Sequence, residues 1–316
     1  MGDYAGMESL ALIMEAPERL SLRSLVLDAP GDADVVVEIH WSGISTGTEK
    51  LLYTGKMPMF PGMGYPLVPG YESVGRIVDA GRAARCRIGD WVFVPGASCF
   101  RDARGLFGGS ARRLVIPSAR ALRIDESLRV DGVLFALAAT ALHALAGGTA
   151  PDLIVGHGVL GRLLARIAIA RGAPAPTVWE TDSGRMAGAR GYAVMAPNAD
   201  SRRDYRSIYD ASGDADILDS LITRLARGGE ITLAGFYAGR LGFAFPAAFR
   251  AEARIRAAAE WAPEDLGETR ALIESGALDL TGLITDVRPA REAHEAYPAA
   301  FFNRDCLKMV LDWSDC

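Results

Sequence analysis

Six residues constrain this chain more than any others. Gly156-His157-Gly158-Val159-Leu160-Gly161 stands between a short apolar run, Leu153–Val155, and a segment, Val159–Ala170, whose Leu160, Leu163, Leu164 and Ile167 recur at helical spacing. At a strand-to-helix turn, Gly156 permits the tight turn, Gly158 lets the backbone approach a pyrophosphate, and Gly161 permits close packing of helix on strand. The helix N-terminus adds N–H donors for phosphate. The glycines alone are a weak signal, since a glycine-rich turn with a surface glutamate nearby reads the same way. Glu180 sharpens it: it closes the next strand, Thr177–Trp179, 19 residues after Gly161, where a carboxylate accepts hydrogen bonds from both ribose hydroxyls of an adenosine. That carboxylate repels the additional phosphate of NADP and favours NAD, whereas Arg185, five residues on, is able to pair with such a phosphate. The cofactor-binding candidates are Gly156 to Gly161, Glu180 and Arg185, joined by Ala211, Ser212 and Gly213 and by Gly235 and Phe236, in loops after the strands that follow.

The alternation continues downstream. Ile208-Tyr209 reads as a strand, Asp214 as a helix N-cap, and Ile217, Leu218, Leu221, Ile222 and Leu225 as one helical face closed by Gly228-Gly229, with Glu230–Tyr237 as the next strand. Strand–helix units in series predict a parallel sheet with right-handed crossovers. From about Val35 to Pro117 the texture differs. Val35–Ile39, Ser73–Val78, Trp91–Val94 and Arg113–Ile116 are short apolar runs between turns such as Pro69-Gly70 and Gly89-Asp90, the pattern of a β domain.

A length of 316 residues fits about two domains, and a chain that is 50% apolar and 23% charged is excluded from the disordered class. With a net charge of −5 and no basic block, a phosphate-backbone partner has little electrostatic support, so no nucleic acid is expected. Cys86, Cys99, Cys306 and Cys316 are far apart and supply neither a metal knuckle nor a disulfide framework. The N-terminal stretch carries Asp3, Glu8, Glu15 and Glu18 in place of a basic, apolar leader, which predicts a cytoplasmic protein. Gly132–Gly148, 17 residues with His143 inside, falls short of the ~20 needed to span a bilayer. It reads as a buried helix, and no integral membrane segment is expected.

Several motifs together resemble the medium-chain dehydrogenase/reductase superfamily over nearly the whole chain. Ser42-Gly-Ile-Ser45 is similar to its first catalytic strand and loop, Pro66-Leu-Val-Pro-Gly-Tyr-Glu72 to its Pro-Gly-His-Glu segment, and Gly89-Asp-Trp-Val92 to its Gly-Asp-x-Val turn. Leu283-Ile-Thr285 and Lys308-Met-Val-Leu311 are similar to its closing segment. The resemblance implies an α/β chain in which a discontinuous GroES-like β catalytic domain, residues 1–125 and 265–316, is interrupted by a Rossmann doubly wound parallel-sheet domain, residues 126–264. It also implies a homodimer formed through the nucleotide domain. Zinc-dependent members place Cys, His and a second Cys or carboxylate where this chain has Ser45, Tyr71 and Ala136, and they cluster cysteines after the Trp91 strand, where it has only Cys99. No metal is therefore expected. Longer stretches, Trp41-Ser-Gly-Ile-Ser-Thr-Gly-Thr-Glu-Lys50, Gly64-Tyr-Pro-Leu-Val-Pro-Gly-Tyr-Glu72 and Cys306-Leu-Lys-Met-Val-Leu-Asp-Trp313, resemble the branch acting on bacteriochlorophyllides in bacteriochlorophyll biosynthesis. That branch implies NAD-dependent oxidation of a 1-hydroxyethyl group to acetyl at ring carbon C-3 of a magnesium tetrapyrrole. Two other readings share the cofactor features: a zinc-free quinone or enoyl reductase, a group that usually takes NADPH, and a non-catalytic NAD-binding protein.

Without a metal, the hydroxyl proton lost as hydride departs must pass to side chains. Aligned on the family motif, Ser45, Thr48, Tyr71 and Glu72 line the vacated metal cavity, with Glu72 or Tyr71 as proton acceptor and the hydroxyls as relay. The alternative is turn hydroxyls bonded to backbone and a buried structural carboxylate. Thr140 matches a family threonine near the nicotinamide. Of the four histidines, His40 and His294 read as surface residues, His143 as a satisfied core residue, and His157 as a loop residue able to face pyrophosphate or substrate. A tetrapyrrole substrate needs a broad apolar cleft; Tyr53, Met59 and Phe60, in a stretch also holding Met57 and Met63, are the candidates, with ordinary loop packing as the alternative.

Overall fold

The computed structural model describes residues 6–316; Asp3, part of the leader argument, lies outside them. The chain starts with a hairpin, β1 (Glu8–Ala16) against β2 (Arg19–Val26). The apolar runs that mark the β domain in the sequence begin only at Val35, so this hairpin is an addition to the expected strands. Its turn carries no Gly or Asn signal, because Glu18 itself takes the positive φ, at 60°. Then follow β3 (Asp34–Gly43), α1 (Thr48–Tyr53), β4 (Leu67–Val68), β5 (Ser73–Ala80), β6 (Trp91–Val94), β7 (Arg104–Gly105), β8 (Arg113–Pro117) and β9 (Leu122–Arg123). The four apolar runs expected as strands lie in β3, β5, β6 and β8. A 3-10 stretch, Glu126–Leu134, leads into α2 (Phe135–Leu145). Among the described residues this is the helical stretch long and apolar enough to cross a membrane, with a mean hydropathy of 1.5, and most of it is buried inside the protein.

The nucleotide unit then builds β10 (Leu153–Val155), α3 (Val159–Ala170), β11 (Thr177–Trp179), β12 (Ala193–Met195), β13 (Tyr205–Asp210), α4 (Leu218–Ile222), β14 (Leu225–Leu233), α5 (Phe245–Ala251), β15 (Arg254–Ala257) and α6 (Pro263–Glu274). All pairs in its six-stranded sheet are parallel, in the order β12-β11-β10-β13-β14-β15. This is the doubly wound order, with the chain reversing direction across the sheet between β10 and β13. Three expectations need correction here. The fourth helix is only Leu218–Ile222, and Leu225, expected on its face, opens β14, which ends at Leu233 rather than Tyr237. Asp214 does not cap that helix; its Oδ1 accepts the N–H of Asp216 in a local turn 3.0 Å away. Leu221 and Leu225 are spaced to suit either a helix face or alternate strand positions, so periodicity alone assigns Leu225 to the wrong element.

The chain returns through β16 (Asp286–Pro289), α7 (Ala293–Phe302) and β17 (Met309–Asp312). β17 lies antiparallel to β3, with Leu311 opposite Ser42, in a seven-stranded sheet ordered β16-β17-β3-β5-β6-β9, with β8 also on β3. A four-stranded sheet, β2-β1-β4-β7, completes this unit. Its core joins the two chain segments: Met14, Val37 and Leu67 pack in one cluster with Tyr297, Met309 and Trp313. The compact units are residues 6–136 with Leu283–Cys316, and Leu137–Gly282. The boundaries thus fall later than the expected 125/126 and 264/265. Residues 265–282 stay with the nucleotide unit because polar contacts tie them there: Asp265 Oδ2 lies 2.8 Å from His143 Nδ1, and the Arg166 guanidinium donates to the carbonyls of Asp279 and Thr281 at 2.7 and 3.1 Å.

Candidate active site

Parallel register brings the predicted cofactor loops together. Val155 at the end of β10 pairs with Trp179 on one side and Asp210 on the other, and Asp210 pairs with Leu233. The loops that follow all leave the same carboxyl edge of the sheet, the edge where open α/β sheets bind ligands. Gly156 has φ of +95°, and a Cβ there would press on the Ala211 backbone at 3.2 Å. Gly161 is more tightly constrained, because a Cβ would sit 1.9 Å from the Gly156 carbonyl oxygen. At Gly158, the N-cap of α3, a Cβ would meet nothing within 4 Å, so the backbone here is open to a ligand. Val159 and Leu160 form the first turn of α3. Such a cradle at a helix N-terminus fits a dinucleotide pyrophosphate.

Glu180 follows β11 as expected. Its Oε2 accepts the N–H of His157 at 3.1 Å, and its Oε1 accepts those of Thr181 and Asp182 at 2.7 and 2.8 Å. The carboxylate is thereby fixed beside the glycine loop. His157, for which the loop position suggests a role toward pyrophosphate or substrate, is fully buried. Its Nδ1 lies 2.6 Å from the Arg185 carbonyl oxygen and its Nε2 2.9 Å from the Tyr192 hydroxyl. Arg162 closes the same network, donating to the carbonyls of His157, Arg185 and Ala187. The main chain of Arg185 is thus pinned to the base of the glycine loop. Ala211, Ser212 and Gly213 follow β13, and the Ala211 N–H reaches back to the Val155 carbonyl at 2.9 Å. Gly235 and Phe236 follow β14, with Phe236 54% exposed. Thr140 lies half-buried in α2.

Asp210, which belongs to no motif in the sequence, is fully buried at this edge. Its Oδ1 accepts from the Ser212 N–H at 2.9 Å and its Oδ2 from the Tyr237 hydroxyl at 2.6 Å, so one carboxyl group joins the two loops. Burial raises its pKa from the ordinary carboxylate value.

In the other unit, β3 ends at Gly43 and the turn into α1 places Ser45 and Thr48, while the segment between β4 and β5 places Tyr71 and Glu72. The Tyr71 hydroxyl donates to Ser45 Oγ at 2.8 Å and lies 3.5 Å from Thr48 Oγ1, so these three predicted hydroxyls meet. Burial, then the nearby Glu72 charge, pushes the Tyr71 phenol well above its ordinary range. As a free phenolate base Tyr71 is therefore poor; as a relay that accepts one proton while releasing another it remains suitable. Glu72 is fully buried, and one oxygen, Oε2, accepts from the Lys308 ammonium, which also donates to the Ile44 carbonyl at 3.0 Å. Among the described residues its other oxygen, Oε1, has no hydrogen-bond partner. In the sequence Lys308 stands only as part of a closing motif, and no local signal pairs it with Glu72.

Glu49 is a second group that sequence reasoning misses. It is fully buried in α1, accepts the Ser45 N–H at 3.1 Å and the Tyr297 hydroxyl at 2.6 Å, and is pushed by burial to about 7. The substrate candidates separate. Tyr53 is 8% exposed, with its ring 5.4 Å from that of Phe301, and is committed to the core where α1 meets α7. Met59 and Phe60 are 81% and 36% exposed, free to meet a ligand.

These donors do not suit zinc. Ser45 and Tyr71 bond each other, Ala136 offers no donor atom, and the Glu72 carboxylate already holds an ammonium group. No group of three or more His, Cys, Asp or Glu side chains among the described residues is arranged to hold a metal.

A β unit carrying these hydroxyls, joined to a doubly wound nucleotide unit, defines a medium-chain dehydrogenase/reductase, and residues 31–126 match the alcohol dehydrogenase GroES-like domain. Solved structures share the fold: an Escherichia coli alcohol dehydrogenase complexed with NADH (TM-score 0.83, 19% identity, 98% of this chain and 100% of that one) and a Sinorhizobium meliloti putative zinc-binding dehydrogenase bound to NADP (TM-score 0.80, 20% identity, 97% and 99%). The chain is 60% identical to the 2-desacetyl-2-hydroxyethyl bacteriochlorophyllide A dehydrogenase of Cereibacter sphaeroides (97% of this chain, 99% of the relative) and 57% identical to that of Rhodobacter capsulatus (98% and 99%). It belongs to this family of dehydrogenases.

Proposed function

We propose that the protein oxidises the C-3 1-hydroxyethyl group of a bacteriochlorophyllide to acetyl, with NAD as oxidant and without a metal, in bacteriochlorophyll biosynthesis. The observation that carries this reading is the relatedness to both bacteriochlorophyllide dehydrogenases over nearly the full length of all three chains. Gly156, Gly158, Gly161 and Glu180 would hold the dinucleotide, with the loops at Ala211–Gly213 and Gly235–Phe236 beside it. When bound, NAD supplies the hydride acceptor. Fixed by three backbone N–H groups, the Glu180 carboxylate supports NAD over NADP, since a further phosphate would meet its charge.

The chain itself handles the proton. Ser45, Tyr71 and Thr48 form a string of hydroxyls, each able to accept one proton as it passes on another, and this string takes the carbinol proton. Glu72, with Oε2 on Lys308 and with no hydrogen-bond partner at Oε1 among the described residues, sets the charge beside the Tyr71 hydroxyl and is the candidate acceptor for the proton the relay releases. Met59 and Phe60 offer a polarizable apolar surface to the macrocycle. Initial rates with 3-(1-hydroxyethyl) bacteriochlorophyllide a and either NAD or NADP test the cofactor assignment. At least tenfold higher kcat/KM with NAD is expected; a preference for NADP, or reduction of quinones in place of pigment oxidation, would return the chain to the reductase reading.

A further inference from the structure

On the catalytic unit, with none of the hydroxyl cluster in its lining, lies a groove of about 560 Å³ formed by His40, Trp41, Trp91, Glu126, Ser127, Arg129, Asp312 and Ser314. Its floor is aromatic. The indoles of Trp41 and Trp91 stack at 5.8 Å with an interplanar angle of 19°, and the His40 imidazole lies 4.8 Å from Trp91. β3 and β6 supply these rings, β5 lying between them in the sheet, so the floor is built on rigid strands. Among the described residues, neither ring nitrogen of His40 has a hydrogen-bond partner; its backbone carbonyl accepts from the Trp313 N–H. Burial, with the nearby Arg112 charge, lowers the His40 pKa, which favours the uncharged ring and its lone pair.

Arg129 adds a second observation. It breaks the 3-10 stretch with φ of 46° and ψ of −125°, a conformation that a non-glycine residue adopts at a cost, and it carries its exposed guanidinium to the groove. A neutral imidazole with an unused lone pair, two stacked indoles and a guanidinium at the rim match the parts of one kind of molecule. A magnesium chlorin has a metal open to an axial nitrogen donor, a flat π face, and a propionate that pairs with arginine. The volume lies in the range of small-molecule sites. Glu126 and Asp312 leave Arg129 as the cation in the lining, which restricts the propionate to one end of the groove.

We propose that this groove is a second seat for a magnesium bacteriochlorin, with His40 as axial ligand, Trp41 and Trp91 as the stacking floor and Arg129 on the propionate. The inference rests on the pigment reading above. It gives a poorly water-soluble substrate or product a place on the enzyme separate from the hydroxyl cluster.

The test is a titration of the full chain with bacteriochlorophyllide a, following tryptophan fluorescence and the pigment absorption band that responds to the identity of the axial ligand on magnesium, with turnover of the hydroxyethyl pigment measured in parallel. Separate arms use the hydroxyethyl substrate, the magnesium-free pigment and the propionate methyl ester. Two pigments per chain are expected. His40→Leu should remove one of them and its histidine-ligated band position while turnover persists. Arg129→Gln, an exposed change that spares the fold, should weaken that site several-fold for the acid and leave the methyl ester unaffected. The magnesium-free pigment should lose most of its affinity there. Turnover with only one pigment bound per chain, or an unchanged second site in His40→Leu, would overturn this proposal and leave the dehydrogenase reading standing. Neither turnover nor binding would overturn both.

Discussion

Tyr71 can be tested by removing a single atom. Tyr71→Phe keeps the ring, which meets Phe107 edge-on at 5.6 Å, and deletes the hydroxyl that joins Ser45 to Thr48. We expect kcat to fall by about 10² or more, the scale of a lost proton-transfer group, with NAD affinity unchanged; full turnover would remove Tyr71 from the relay. Glu72 is harder to probe, because its partner is buried too. Glu72→Gln strands the Lys308 ammonium, and breaking one side of a buried pair costs roughly 3–5 kcal/mol. Urea unfolding should show that loss, and combining Glu72→Gln with Lys308→Met should restore much of it. Glu49 makes a pH prediction. Its folded pKa of about 7 lies above the ordinary 4.5, so the folded state retains a proton that the unfolded chain has released. Its contribution is therefore fully present below about 4.5 and is lost as pH rises through about 7, a decline of about 3 kcal/mol. Glu49→Gln should flatten that part of the stability profile. At this scale the sequence is informative where a residue works through its neighbours along the chain: Ser45 and Thr48 share one turn, and Glu180 follows its own strand. It is silent on Glu49, Lys308 and Asp210, whose roles depend on burial and on partners far away in sequence, such as Tyr297 for Glu49.

The glycine loop separates packing from ligand binding. Gly161→Ala puts a methyl against the Gly156 carbonyl oxygen, a backbone atom that cannot swing aside, whereas a methyl at Gly158 meets nothing within 4 Å. Gly161→Ala should therefore lower both thermal stability and NAD affinity, the overpacking costing about 1–3 kcal/mol. Gly158→Ala should leave the melting temperature nearly unchanged and still weaken NAD binding. Calorimetric titration beside thermal melts distinguishes them, and equal NAD affinity for wild type and Gly158→Ala would place the pyrophosphate elsewhere. The strand–turn–helix around these glycines is legible because three local requirements coincide there. The element after β13 is not. α4 spans only Leu218–Ile222, and β14 begins at Leu225, three residues later. Apolar residues at that junction satisfy both periods, and the choice between them is made by the parallel pairing of Leu225 with Tyr205, a contact that no local pattern records.

For the molecule as a whole, two units of different architecture are readable from the shift in texture after Pro117, and the return of the chain into the β unit follows from the family resemblance. The place of the boundary is not, because the tie from Arg166 to residues 279 and 281 is a tertiary contact. The central claim is that this chain oxidises a pigment alcohol through side-chain hydroxyls and NAD. One measurement tests it most directly: protein freed of metal by chelation and verified by elemental analysis is mixed with NAD and 3-(1-hydroxyethyl) bacteriochlorophyllide a, and the pigment's long-wavelength band and NADH are followed together. The account predicts a band shift with one NADH per acetyl group formed, at the rate of untreated protein. Turnover that vanishes on metal removal and returns with zinc would contradict it.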